Sequence, residues 1–394
     1  MRVLNSLGPI IILLIGSFYG YQWYERLPAS ATIGIAYLTH MLALIVAGLS
    51  LRFNRSSIFF YVVLVVMVNL LLRFGWTTND LGYALLSGFI PIVLLVLTLL
   101  PDRGIFSIYS IPAYTLLAVV TLFSMLVVAT APAWAMQFVL ADWLPAQYFD
   151  WTGQSQTVLI ISSLIFYSLL TLCIFNPSPH LCAGFGVLFM LIIQLHFGDH
   201  ERSLNVFSST ALLMCLYAII QETWHMAYLD ELTGLPGRRA LREKFQAISG
   251  LYTVAMLDVD HFKKFNDNHG HDAGDAVLRM IAAKMTRVPG GGVSYRYGGE
   301  EFSIVFTGKP VKDSLRHLET LRESIGRTPF VINRVSRRKN ELKTTPRNSK
   351  SIKVTVSIGV ADSSGSTASA WEVLKLSDKA LYRAKGKGRN RVCK

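Results

Sequence analysis

Three acidic side chains and two glycines carry the chemistry this chain offers. Glu300 and Glu301 directly follow Gly298 and Gly299, between two short β-rich runs at 293–297 and 302–306. That pattern predicts a hairpin with both carboxylates at its turn. Asp258 closes an earlier apolar run, 252–257, which reads as a buried strand. If the hairpin pairs beside that strand, the three carboxylates converge at one sheet edge. They repel one another unless divalent cations neutralise them, and oxygen-only ligands favour Mg²⁺ or Mn²⁺. Two such ions about 3.5–4 Å apart can activate an attacking oxygen and stabilise a leaving one in phosphoryl transfer. Gly298 and Gly299 let backbone approach a ligand closely. Lys263, Lys385 and Arg389 are available to hold phosphates. Acids at a hairpin tip are also what a plain solvated turn presents, so spacing alone leaves both readings open.

The elements that must position these residues follow from periodicity. Gly and Pro within Gly234-Leu235-Pro236-Gly237 mark a turn before a helix over 237–248. After the first strand, apolar residues at 277, 278, 281, 282 and 285 predict a helix over 273–287. The hairpin follows, then a helix over 311–326. Alternation of Val354, Val356 and Ile358 against Thr355 and Ser357 predicts a strand over 353–360, and a last helix covers 370–385. The order α-β-α-β-β-α-β-α points to a mixed sheet covered by helices.

The rest of the chain is different in kind. Of 394 residues, the first 221 contain no lysine, and their seven arginines balance seven acids, so the whole formal charge of +13 falls on the remainder. A basic soluble half fits an anionic partner such as a nucleotide, a nucleic acid or a lipid headgroup surface. The first half carries eight apolar stretches of spanning length, near 7–22, 33–51, 57–73, 83–100, 107–131, 156–175, 181–197 and 205–221. Arg2, Arg52, Arg55 and Arg103 fall on one side of that arrangement, whereas loop 132–155 has Asp142 and Asp150 and no Lys or Arg. Arg26, Arg73 and Arg202 dissent near span ends, and on balance the positive-inside rule places the basic half in the cytoplasm. An alternative for the first stretch is a cleaved leader ending at Ala29-Ser30-Ala31. His40 and Asn69 lie inside spans and read as helix-to-helix hydrogen bonds. Cys173, Cys182, Cys215 and Cys393 show no metal or disulfide spacing.

The wording of the soluble half adds more than its spacing. Arg296-Tyr297-Gly298-Gly299-Glu300-Glu301-Phe302 resembles the signature of the GGDEF family of diguanylate cyclases. Five further blocks agree in order. They are Asp230-Glu231-Leu232-Thr233-Gly234-Leu235 with Arg238-Arg239, then Leu257-Asp258-Val259-Asp260-His261-Phe262-Lys263 with Asn266, and Gly270-His271-Asp272-Ala273-Gly274-Asp275. Val356-Ser357-Ile358-Gly359-Val360 follows, and the series closes on Ala380 through Tyr382, Lys385, Gly388, Arg389 and Asn390.

The resemblance covers about 229–393 and implies an α/β domain like a nucleotidyl cyclase or polymerase palm. It implies condensation of two GTP molecules into cyclic di-GMP, with two domains facing each other in a homodimer. It further implies that Asp258, the Val259 carbonyl and Glu300 bind Mg²⁺, with Glu301 as a further ligand and two ions per site. Glu300 or Glu301 would assist loss of the ribose 3′-hydroxyl proton. Asn266 and Asp275 would read guanine, with His271 lining that pocket and Gly298 and Gly299 beside the substrate. Lys263, Lys385 and Arg389 would steady phosphates. Asp260 and Asp272 read as structural. The partners implied are GTP, cyclic di-GMP and the lipid bilayer, not nucleic acid.

The whole chain thus reads as a polytopic α-helical membrane sensor or anchor over 1–221, a short connection over 222–236, and a GGDEF domain over 237–394. The expected location is the bacterial inner membrane, with that domain in the cytoplasm. Two rivals stay open: a degenerate GGDEF domain that binds GTP and signals allosterically, and a transporter or receptor with an appended regulatory domain. Three departures from the family pattern stand out. Gly237 replaces the usual Asn ahead of the two arginines, at a helix-cap position that tolerates Gly. Residues 333–353 form a long basic connection, read as a solvated hairpin loop or as a contact with anionic headgroups. The positions that hold an inhibitory Arg-x-x-Asp site in many relatives are Pro289 and Gly292, so no product inhibition is expected there.

Overall fold

The computed structural model describes residues 2–74, 80–198, 201–332, 350–364 and 369–394. The chain divides into two compact units, Met1–Thr223 and Trp224–Lys394.

The first unit is all helical: α1 (Arg2–Tyr24), α2 (Ala29–Arg52), α3 (Ser56–Arg73), α4 (Asp80–Leu99), α5 (Ile111–Thr130), a short α6 (Ala133–Val139), α7 (Gln156–Phe175), α8 (Pro179–Phe197) and α9 (Glu201–Tyr228). Eight of these coincide with the eight apolar stretches. Among the described residues, seven helices, from α2 onward and without α6, are long and apolar enough to cross a membrane. α3, α4, α8 and α9 bury most of their length in the bundle, whereas α2 and α5 present apolar side chains such as Tyr37, Leu44, Leu122 and Leu126 outward.

One end of this unit is tied by charge. Arg55 Nε lies 3.1 Å from Glu222 of α9, His180 Nδ1 lies 3.4 Å from the same carboxylate, and Asp102 accepts from the Ser56 amide and hydroxyl at 2.8 and 2.6 Å. The short connections α2–α3, α4–α5 and α7–α8 therefore meet α9 there. Asn69 makes the expected interhelical bonds, donating to the Leu204 carbonyl and Ser208 Oγ. His40 does not. Its Nδ1 bonds the Ala36 carbonyl one turn back in its own helix, and the ring stays exposed. The four cysteines are free.

The second unit comprises α10 (Arg238–Ala247), β1 (Tyr252–Val259), α11 (Phe262–His269), α12 (His271–Met285), β2 (Val293–Gly298), β3 (Glu301–Thr307), α13 (Val311–Arg327), β4 (Pro329–Ile332), β5 (Lys350–Lys353), β6 (Val356–Asp362), α14 (Ala370–Gly386) and β7 (Val392–Cys393). The main sheet runs β2-β3-β1-β6-β7 and is mixed: only the β6–β7 pair is parallel. β1 is buried along its whole length, as the central strand of a covered sheet must be.

The periodic elements formed as expected, with four differences. α11 was not anticipated, because eight residues with few apolar positions show no clear period. α12 starts two residues early, at His271. Lys353 belongs to β5, which pairs with β4 as a separate ribbon, so the strand beside β1 begins at Val356. β7 is too short to read from sequence. Most of the basic connection, 333–349, lies outside the described residues.

Candidate active site

The site forms where β1 ends. In the β1–β3 register Asp258 stands opposite Glu301, and on its other side opposite Ser357 of β6. Glu300 lies in the turn just before β3. The conditional expectation that the hairpin pairs beside the first strand is met, and it brings Asp258, Glu300 and Glu301 together. The β2–β3 register slips between Arg296 and Gly298. Gly299 takes φ +38°, in the left-handed region, and a Cβ at Gly298 or Gly299 would meet nothing within 4 Å. The turn thus opens on free space in front of the acids.

The electrostatics record the crowding. Asp258 is 5% exposed, and burial raises its pKa. Lys385 opposes this with its Nζ 2.8 Å from Oδ2, while Asp260 pushes the same way as burial. Burial also raises Glu300, reinforced by Asp258 and Glu301. Glu301 is raised by burial, then by Asp258 and by Asp378 of α14. Excess negative charge gathers here, and among the described residues Lys385 supplies the ammonium paired with it. Among the described residues no three His, Cys, Asp or Glu side chains close round one point as a metal shell would. The donor set is nonetheless all oxygen and short of positive charge, which suits a hard divalent cation.

Two supports, Arg296 and Asp378, escaped the sequence reading, while Asp260 takes the structural role expected of it. Arg296 donates through Nη1 to Asp230 at 2.7 Å and through Nη2 and Nε to the Gly299 carbonyl at 2.7 and 3.2 Å. Its backbone amide bonds the Pro236 carbonyl. One guanidinium therefore clamps the hairpin turn to the Asp230–Leu235 segment, whose own turn is closed by Thr233 donating twice to Asp230. Asp260 accepts from Ser357 and Thr355 hydroxyls at 2.6 and 2.7 Å and from the Asn390 amide at 3.0 Å. This fixes the turn in which Gly388, Arg389 and Asn390 all have positive φ. Asp378 precedes Lys385 by seven positions, two helical turns on the same face, which is the signal that would have found it.

The expected base-reading residues lie on the α11–α12 pair. Asn266 has a buried Oδ1 with no hydrogen-bond partner. A Cβ at Gly274 would fall 1.9 Å from that oxygen, so only glycine leaves the amide its place. An orphaned buried acceptor is costly unless a ligand donor meets it. His271 is exposed at the first residue of α12, and Asp275 lies one turn further along. Lys263 is exposed on the first turn of α11 and makes no ion pair among the described residues, while Arg389 is close enough to Asp258 to stabilise its charge. Gly237 takes the helix-cap position of α10 with extended backbone and no side-chain bond.

Residues 227–391 match the family model described as diguanylate cyclase, GGDEF domain. The chain is 32% identical over 181 residues to the response regulator PleD of Caulobacter vibrioides, covering 44% of this chain and 37% of that protein. It is 35% identical over 209 residues to diguanylate cyclase A of Treponema denticola, covering 50% and 51% respectively. The chain thus spans about a third to a half of the length of these curated relatives. Among solved structures it is similar to the coiled coil and GGDEF domain of DgcB from Caulobacter crescentus, a structure in complex with c-di-GMP. The identity is 30%, the coverage 47% of this chain and 94% of that one, and the TM-score 0.41.

Proposed function

We propose that this chain, whose residues 227–391 match the family model described as diguanylate cyclase, GGDEF domain, is a membrane-anchored diguanylate cyclase under control of its helical half. It condenses two GTP molecules into cyclic di-GMP and releases two pyrophosphates. The observation that carries the reading is the gathering of Asp258, Glu300 and Glu301 at one sheet edge, opening on free space through Gly298 and Gly299.

Each chemical step joins the 3′-hydroxyl oxygen of one GTP to the α-phosphorus of another as the bond to the β-phosphate oxygen breaks. Asn266 Oδ1 accepts from the guanine edge, Asp275 accepts a second bond, and His271 borders the base. Lys263, Lys385 and Arg389 steady the triphosphate, with Lys385 turning from Asp258 to phosphate as substrate enters. Glu300 or Glu301 accepts the hydroxyl proton. Two Mg²⁺ ions, or Mn²⁺, held by Asp258, the Val259 carbonyl, Glu300 and Glu301, would activate the hydroxyl and stabilise the leaving pyrophosphate. One domain holds one GTP, so turnover needs two chains facing each other. The outward apolar faces of α2 and α5 support a lipid surround in the bacterial inner membrane.

The test is to incubate the purified chain with GTP and Mg²⁺ and to identify the nucleotide product by mass. Cyclic di-GMP with pyrophosphate in a 1:2 ratio supports the proposal. GTP binding without turnover would replace it with the degenerate signalling module.

A further inference from the structure

The cluster around Arg55 holds more negative than positive charge. Arg55 Nη1 lies 3.7 Å from Asp102 and its Nε 3.1 Å from Glu222, so one guanidinium serves two carboxylates. Both carboxylates are largely buried, with side chains 13% and 9% exposed. Asp102 uses Oδ1 to accept from the Ser56 amide and hydroxyl. Its Oδ2 is buried without a hydrogen bond among the described residues, and so is Oε2 of Glu222. Burying a carboxylate is costly unless charge and donors match it. With a neutral imidazole at His180, the cluster is one positive charge short.

His180 is placed to supply that charge. It is the second residue of α8, and its Nδ1 lies 3.4 Å from Glu222 Oε1. Its side chain is 30% exposed, so protons from solvent reach it. Histidine changes charge between about pH 5 and 8. The charged groups that face it are Arg55 from the α2–α3 connection, Asp102 from the α4–α5 connection and Glu222 from α9. Arg103 is turned away, over the Tyr109 ring at 4.4 Å. Tyr61 of α3 faces Glu222 with Cys173 and Cys215 beside it, and Tyr217 faces Cys182. Phenols and thiols ordinarily ionise above that range.

We infer that this cluster is a proton-operated latch on α9. Glu222 is the last residue but one of the helical unit, and α9 runs on from it to Tyr228. The cluster therefore grips the helix where it passes from one unit to the next. A proton on His180 turns the 3.4 Å contact into an ion pair and brings the cluster to neutrality. Loss of the proton leaves Glu222 and Asp102 to share Arg55. The held arrangement favours the protonated imidazole, so the grip is strongest at low pH and weakens as pH rises through the histidine range. Two charge states then bias two positions of one helix, as a switch requires. The end that carries Arg52, Arg55 and Arg103 is the one proposed to face the cytoplasm, so the proton comes from there. The inference deepens the proposed function by naming an input, and it rests on that reading only for the turnover arm of its test.

The test is hydrogen exchange of segment 216–226 in the full chain in detergent, at about pH 6, 7 and 8 and corrected for the intrinsic pH dependence of exchange. Protection in the parent should rise about tenfold from the highest to the lowest pH, the effect of one unit of difference in proton affinity. His180→Gln and Glu222→Gln should each remove that rise. His180→Lys, charged throughout, should hold the protected state at every pH. His180 is partly exposed, so the two variants there decide the matter should Glu222→Gln fail to fold. A pH response retained in His180→Gln, or low protection in His180→Lys, would overturn the inference. Cyclase rates, each divided by the parent's rate in the same buffer, should move in opposite directions in His180→Gln and His180→Lys. Exchange that follows His180 in a chain that makes no cyclic di-GMP keeps the latch and loses the enzymatic reading. Cyclic di-GMP formed by a chain whose exchange ignores His180 does the reverse.

Discussion

Asp258 pairs with a residue 127 positions later, and that contact shapes the first prediction. Asp258→Asn, Glu300→Gln and Glu301→Gln each remove one carboxylate where repulsion already raises the others. Each should lower cyclic di-GMP formation by at least about a hundredfold, with melting temperatures within a few degrees of the parent, measured on the same preparations. Parental turnover in all three would remove the metal reading. Asp230 supplies a second, pH-dependent prediction. Burial alone would raise its pKa, but bonds from Thr233 and Arg296 outweigh that and hold it below its ordinary value of 3.8. A depressed folded-state pKa stabilises the fold above the unfolded value, and the contribution is lost as pH falls through the lowered one. Asp230→Asn should therefore destabilise the domain by about 1–3 kcal/mol at neutral pH. The gap from the parent should shrink below pH 3.8, as read by denaturant melts across pH.

At the scale of elements, the close approach of α14 to β6 decides where Lys385 sits. A Cβ at Gly359 would lie 2.0 Å from the Leu381 amide nitrogen and 2.1 Å from the Ser377 carbonyl oxygen, both backbone atoms that cannot step aside. Gly359→Ala should push α14 off the sheet, destabilise the domain by about 2–3 kcal/mol, and reduce turnover beyond what the stability loss explains. Thermal melts and rates at a permissive temperature would check both. The turn at Pro289–Gly291 carries a prediction of a different kind. Pro289 stands where the Arg would be, and at Gly292, where the Asp would be, a Cβ would fall 2.6 Å from the Phe306 ring, so neither position supplies an inhibitory Arg or Asp. Adding cyclic di-GMP to the assay should leave the rate unchanged apart from competition at the active site. Calorimetry should show no tight site that is lost on mutating 287–293.

For the whole molecule, the link between halves is α9, which runs from Glu201 to Tyr228 and is anchored at Glu222 by Arg55 and His180. If the helical half sets the geometry of two facing domains, a shift of this helix must be transmitted through a bistable arrangement. Inserting one to four alanines after Thr223 should change cyclase activity non-monotonically, following the helical phase of about 3.6 residues. A flat response in the series would show that the connection does not transmit rotation.

What sequence could decide about this protein was local. Apolar stretches of spanning length marked eight helices because burial in a bundle or in lipid leaves its mark on consecutive residues. A short apolar run marked β1, β-rich runs flanking two glycines marked the hairpin, alternation marked β6 and a 3.6 period marked α12. The motif residues were legible as types, so Asp258, Glu300, Glu301 and Asn266 were candidates before any fold was known. α11 and β7 were not legible, being too short and too polar for a period to stand out. Nor could sequence tell which side chains meet. Tertiary structure alone put Lys385 on Asp258, turned Asp260 into a tie between β6 and the Asn390 turn, and set Arg296 across Asp230 and Gly299. Those partners lie from three to 130 residues apart, and their pairing depends on strand register and on how closely α14 can pack against Gly359. No periodicity in the chain encodes either.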